Sequence, residues 1–178
     1  MKSLGMTREE FVRTVGELAS HNEVLFKGCS QATISAFQEI LGLKDTLALK
    51  AATGFAGGIA RHGSTCGALT AGIMVIGMKY GRDNLEDYDS LMRTYAPVSK
   101  LIRQFKEEFG SMNCRDITKT DLLDFEQMKE FYISGRHDKE CAVVVGKTAR
   151  MVAGIFYDIE QELFFDMEKA EKWWKKPC

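Results

Sequence analysis

The chain has 178 residues, an apolar content of 45% and a formal net charge of −1. That length suits one domain able to bury roughly two-thirds of its unfolded surface, so a disulfide scaffold is not needed for stability. Interleaved acidic and basic residues exclude the electrostatic footprint of a nucleic-acid binder or of a protein held on an anionic membrane.

The amino-terminal stretch MKSLGMTREEF moves straight into an amphipathic pattern without the apolar core of a secretory signal. The longest nearly apolar run, Ala68 to Met78, is shorter than the ~20 residues a bilayer crossing needs. No membrane insertion and a cytoplasmic location are therefore expected. Five cysteines in a reducing compartment read as buried filler, metal ligands or redox thiols rather than structural disulfides. Cys178, at the chain end, is set apart from the internal four.

Thr7 followed by Glu10 forms a capping box, and Phe11, Val15, Leu18 and Ala19 recur at helical spacing, which predicts a first helix from Thr7 to His21. A second helix is expected from Cys29 to Leu41, stopped by Gly42. Asp45 caps a shorter third helix reaching Thr53. The loop GFAGGIARHGSTCGALTAG, Gly54 to Gly72, then runs into a fourth helix over Cys66 to Lys79, with Ser64 or Thr65 as its cap. Gly67, Gly72 and Gly77 weaken that helix by roughly 1 kcal/mol each relative to alanine, so close packing must hold it. Its nearly uniform apolarity marks it as the central buried helix.

A fifth helical pattern spans Asn84 to Phe109, where Pro97 is expected to bend or split it and Gly110 to end it. After the connection bearing Cys114, Leu122 to Ile133 reads as helical with Asp116 or Thr120 as its cap. A turn over Gly135 to Asp138 precedes a long last helix from Lys139, whose stripe includes Cys141, Val144, Val145, Thr148, Val152 and Leu163. Trp173 and Trp174, with Phe164 and Phe165, would pack the tail back on the core, the alternative being a contact between copies in a homo-oligomer. No segment alternates with period two. The expected fold is one all-α domain over 1–178, a bundle of six to eight helices around the glycine-rich helix, with a four-cysteine region at about 26–156 and a helical tail at about 157–178.

Cys29, Cys66, Cys114 and Cys141 each fall at or near the start of a different predicted helix. A helix amino-terminus offers unpaired amides and about half a positive charge, both favouring thiolate over thiol. Four such ends brought together would suit four thiolates around zinc or an iron–sulfur core, or two dithiol pairs that cycle to disulfides. Buried filler is the competing reading, because cysteine is among the most buried residue types. No two of the four are spaced as CxxC, so zinc-finger and ferredoxin patterns are absent.

The glycine loop has neither a preceding strand nor a closing GK[ST], which argues against a nucleotide cradle. Gly57, Gly58 and Gly67 are instead read as letting backbone approach and donate to sulfur in a bound cluster. His62 and His137, each four residues before a cysteine, could supply a proton or a replacement ligand, but both sit in polar loops and are read as solvated. Arg61 is read as a surface charge.

These residues resemble the redox-active family named for its spaced-cysteine signature, C_GCAxxG_C_C. GCSQA at Gly28 to Ala32 matches its first cysteine segment, and GFAGGIARHGSTCGA its glycine loop and second cysteine. The pair Asn113–Cys114 and the run ECAVVV at Glu140 to Val145 supply the third and fourth. One position departs from the pattern: Ala71 stands where the motif has glycine, with Gly72 one place later. The resemblance implies thiol or iron–sulfur redox chemistry carried by Cys29, Cys66, Cys114 and Cys141, exchanging electrons with a partner protein. A two-iron cluster is the favoured cofactor, the alternatives being structural zinc or a disulfide pair without metal.

Overall fold

A computed structural model describes residues 5–43 and 45–161. Trp173, Trp174, Phe164, Phe165, Leu163 and Cys178 lie outside the described residues. Within them the fold is all-α, with helices α1 (Arg8–Phe26), α2 (Cys29–Leu41), α3 (Thr46–Ala51), α4 (Gly67–Tyr80), α5 (Tyr88–Phe109), α6 (Cys114–Thr118), α7 (Phe125–Ile133) and α8 (Arg136–Gln161). A 3-10 turn over Ala52–Phe55 follows α3. Among the described residues no helix is long and apolar enough to cross a membrane.

The expected caps at the beginning of the chain are present. Thr7 and Glu10 exchange the two hydrogen bonds of a capping box, and Asp45 accepts from the amides of Leu47 and Ala48. Helix α2 has its expected bounds and ends on Gly42 at φ 66°, where a left-handed turn accepts glycine without steric cost. Helix α1, however, runs on past His21 to Phe26 before Lys27 turns left-handed.

Helices α1 and α8 pack antiparallel, with Arg8 beside Asp158 at one end and Lys27 bonded to Asp138 at the other. Two glycines permit the close approach between them. A Cβ on Gly146 would stand 3.0 Å from the carbonyl oxygen of Gly16, and one on Gly16 would collide with the Arg150 side chain. The Ser20 hydroxyl donates to the Ala142 carbonyl at 2.8 Å, which fixes the register that brings Glu23 opposite the start of α8.

Helix α4 lies against α2, α5 and α8, and Ala68, Leu69, Ala71 and Ile76 are fully buried. Gly72 faces Leu101 of α5 and Val152 of α8 at distances a side chain would violate, so its missing methyl is space used by neighbours. Cys66 is the cap of this helix; Ser64 and Thr65 are not. Thr65 is instead tied into an isolated antiparallel bridge with Asn113.

Pro97 is buried inside α5 and does not split it. That helix begins later than Asn84 because Asn84 turns its side chain to the Glu86 amide, leaving Asp87 to cap through Ser90. Asp124, not Asp116 or Thr120, caps α7 by accepting from the Gln127 amide at 3.0 Å. The two expected caps are engaged elsewhere, Asp116 with Ser111 and Asn113 and Thr120 with the Thr118 carbonyl.

Candidate functional site

The glycine loop is wound the wrong way for L-residues. Gly57, Gly58, Ile59, Ala60 and Arg61 all have positive φ, between 48° and 70°. This left-handed turn is closed by bonds such as Ala60 N–H to Gly54 O at 2.9 Å and Gly63 N–H to Gly57 O at 3.2 Å. Its far side grips the Cys114 segment: the Cys114 amide donates to Ser64 O at 2.7 Å, and the Cys66 amide donates to Met112 O at 2.8 Å. Two cysteines far apart in sequence are thus bound to one loop by main-chain bonds.

Cys29, Cys66, Cys114 and Cys141 line a single cavity of about 50 Å³ between α1, α2, α4, α6, α7 and α8. All four are free thiols; Cys66 and Cys114 are buried and the other two partly so. Cys29 opens α2 and Cys114 opens α6, while Cys66 precedes α4. Cys141 differs from the expectation. Because α8 begins at Arg136, Cys141 is more than a turn inside it and has no free helix-end amides.

Gly67 leaves room for the neighbouring sulfur, since a Cβ there would stand 2.4 Å from Cys29 Sγ and 2.8 Å from Phe55 O. Gly58 does the same for the Ser64 backbone and the Cys114 side chain, where a Cβ would meet Ser64 O at 2.4 Å and Cys114 Cβ at 2.6 Å. Gly57 lines the cavity, and its amide favours the ionised form of Cys29.

Burial wins over these helix-end and glycine amides. It drives Cys66 up to about 12, helped by Cys114 and opposed by the amides of Ala68 and Leu69. Cys29 is raised well above its ordinary value by burial, then by Cys66 and Glu23. Cys114 is raised by burial against a bond with Thr118, and Cys141 is raised by burial with Glu23 and the other three thiols adding to it. Without a cation this is therefore a pocket of protonated thiols, and binding one must expel protons.

Two further residues stand in the cavity. Glu23 is 1% exposed and His137 4% exposed, with Glu23 Oε1 3.0 Å from His137 Nε2. His137 is not solvated, because the early start of α8 places it one turn before Cys141 on the inner face. Tyr132 stacks on its ring at 4.7 Å and Phe131 meets it edge-on. Burial disfavours the imidazolium, but hydrogen bonds to Glu23 and Asp138 outweigh it and raise the histidine. Glu23 Oε2 is buried without a hydrogen-bond partner. The donor atoms of Glu23, His137 and Cys141 all lie within 4.8 Å of one another, a spacing that could hold a metal ion. His62 is exposed, as is Arg61, which reaches Met128 Sδ at 3.2 Å.

The sequence could have revealed Glu23. It continues the buried four-residue step Phe11, Val15, Ala19 along α1, and a carboxylate on such a stripe is a signal in itself.

Residues 28–155 match the family described as "Putative redox-active protein (C_GCAxxG_C_C)". The chain belongs to this family. The match takes in all four cavity cysteines and His137 but begins after Glu23. An "Uncharacterized protein" of Archaeoglobus fulgidus is 31% identical over 112 residues, covering 58% of this chain and 74% of that one. No solved structure matches.

Proposed function

We propose that this member of the C_GCAxxG_C_C family is a cytoplasmic electron-transfer protein whose Cys29, Cys66, Cys114 and Cys141 hold an iron–sulfur cluster. The observation that carries this reading is the meeting of four thiols from separate helices in one cavity. The donor set fits, because four-thiolate ligation is the common way proteins hold such clusters and amides near sulfur tune them. The cavity, about 50 Å³, exceeds the ~10–15 Å³ that one water requires, so there is room between the sulfurs.

Structural zinc on the four sulfurs is less well supported. Among the described residues the donor triple within single-ion reach is Glu23, His137 and Cys141, rather than three cysteines. Dithiol exchange is also disfavoured, since a buried, protonated thiol is a poor nucleophile. A bound cluster supplies one-electron storage. The chain's own part is to fix four sulfurs, direct the Gly57, Ala68 and Leu69 amides toward them, and limit water with Leu122, Phe131 and Tyr132. Electrons would pass to and from a separate redox protein.

Anaerobic reconstitution of the full chain with ferrous iron and sulfide tests this reading. The expected product contains iron and sulfide in equal amounts and has visible absorption that dithionite bleaches. Replacing any of the four cavity cysteines with serine removes most of that absorption, whereas Cys178→Ser retains it. Stoichiometric colourless zinc, or a metal-free protein with a reversible disulfide, would overturn the proposal.

A further inference from the structure

We propose that Glu23, His137 and Cys141 form a second, mixed-donor site for a divalent transition metal, adjoining the four-cysteine set and sharing Cys141 with it. This goes beyond the family signature, whose matched segment begins after Glu23. It requires only one of the four cysteines, so it does not rest on the cluster reading.

The three donors come from two helices held in fixed register. Glu23 opens the last turn of α1, while His137 and Cys141 are one turn apart on α8, and the Gly16–Gly146 contact sets the distance between the helices. Their donor atoms are within 4.8 Å of one another. Bonds of about 2.0–2.3 Å put tetrahedral ligand pairs roughly 3.3–3.8 Å apart. The wider donor pairs therefore need close only slightly, while Glu23 Oε1 and His137 Nε2, now 3.0 Å apart, open slightly as the ion replaces their hydrogen bond. Oxygen, nitrogen and sulfur donors together suit zinc, ferrous iron or cobalt rather than magnesium or calcium.

An independent observation points to an occupant. Glu23 Oε2 is buried and lacks a hydrogen-bond partner, although Glu23 lines the cavity. A carboxylate oxygen left in that state is costly unless something accepts its lone pairs. The histidine is also prepared as a ligand. Its Nδ1 lies 2.9 Å from Asp138 Oδ1, and Asp138 is in turn bonded to Lys27. A carboxylate on one ring nitrogen fixes the tautomer that presents the other nitrogen to a metal, and here Nε2 faces Glu23. Asp138 is thus a positioning residue. Three protein donors leave a fourth position open toward the cavity, the arrangement of sites that accept an exchangeable ligand.

Titration of the reduced, metal-free full chain with cobalt(II) under anaerobic conditions tests this. The expected result is one tightly bound cobalt with a sulfur-to-metal charge-transfer band, retained in Cys29→Ser and lost in Glu23→Gln and His137→Gln. Asp138→Asn should weaken binding about 10–100-fold. Cobalt binding unchanged by the Glu23 and His137 substitutions but abolished in Cys29→Ser would place the ion on the cysteine set alone and overturn the inference. Since a variant can misfold, X-ray absorption of cobalt on the unmutated chain gives a second reading: mixed nitrogen, oxygen and sulfur donors support the site, and sulfur donors only refute it. Iron and sulfide uptake by the same Cys29→Ser protein reports separately on the cluster, so either proposal can fail without the other.

Discussion

Gly67 and Gly77 belong to the same helix and differ in what surrounds them. A methyl at position 67 would press on Cys29 Sγ and on the Phe55 carbonyl, and the carbonyl has no rotamer by which to move away. Nothing lies within 4 Å of a Cβ at position 77. Gly67→Ala is therefore expected to destabilise the metal-free chain by about 1–3 kcal/mol and to reduce iron uptake by displacing the Cys29 sulfur. Gly77→Ala should stabilise it by roughly 0.5–1 kcal/mol, the ordinary helix-propensity gain. Urea unfolding midpoints decide, and shifts of the same sign in both variants would refute the assignment of Gly67 to sulfur packing. At this scale the sequence disclosed the cysteines but not their protonation. Helix-end amides argue for thiolate, yet desolvation is the larger effect and only the assembled cavity reveals it. His137, and Glu23 despite its place on the apolar stripe of α1, were missed for a simpler reason. Both lie in turns that local pattern assigned to loop, and once those turns are helical the two residues point inward.

Elements whose ends carry a strong local signal were legible to the residue, as with α2 between Cys29 and Gly42. Those with two competing caps were not, because short-range side-chain bonds in the connection decide which cap is free; Asp116 is spent on Ser111 and Asn113 and Thr120 on the Thr118 carbonyl, leaving α7 to Asp124. The glycine loop was visible as a loop, but its left-handed winding was not, since three of its six left-handed positions are Ile59, Ala60 and Arg61. Each non-glycine residue there costs roughly 1–2 kcal/mol. Strain of this kind persists when surroundings over-determine it, and here the surroundings are the main-chain bonds to the Cys66 and Cys114 segments. Ala60 is exposed and its φ is 48°, so Ala60→Gly relieves strain without removing a packed side chain. The expected gain is about 1 kcal/mol after allowing for glycine's freer unfolded state, measured by urea unfolding. A loss of stability would mean that the turn is not wound left-handed in solution.

Across the molecule, the antiparallel pair α1 and α8 is anchored at both ends, and the two anchors differ in kind. The end near the cavity is the buried Glu23–His137 pair, committed to the site. The opposite end is a partly exposed ion network in which Asp158 of α8 accepts from Arg8 of α1 at 2.9 Å and from Lys100 of α5 at 3.2 Å. Burial opposes ionisation of Asp158, but its bonds to Arg8 and Lys100 prevail and hold its pKa below the usual aspartate value of 3.8. A carboxylate with a depressed folded pKa adds stability that is complete above its unfolded pKa and is lost as pH falls through the folded one. Asp158→Asn should accordingly cost about 1 kcal/mol at pH 7, a modest value because solvent screens the network. The difference between variant and parent should shrink below pH 3.8 and close once the parent's Asp158 is protonated in both states. Effects of other acidic groups are common to the two chains and cancel in the difference. Urea unfolding of both across this range tests the sign: a gap that stays constant down to the acid limit would show that Asp158 acts through packing rather than charge, and that the distal end of the helix pair is not held by its ions.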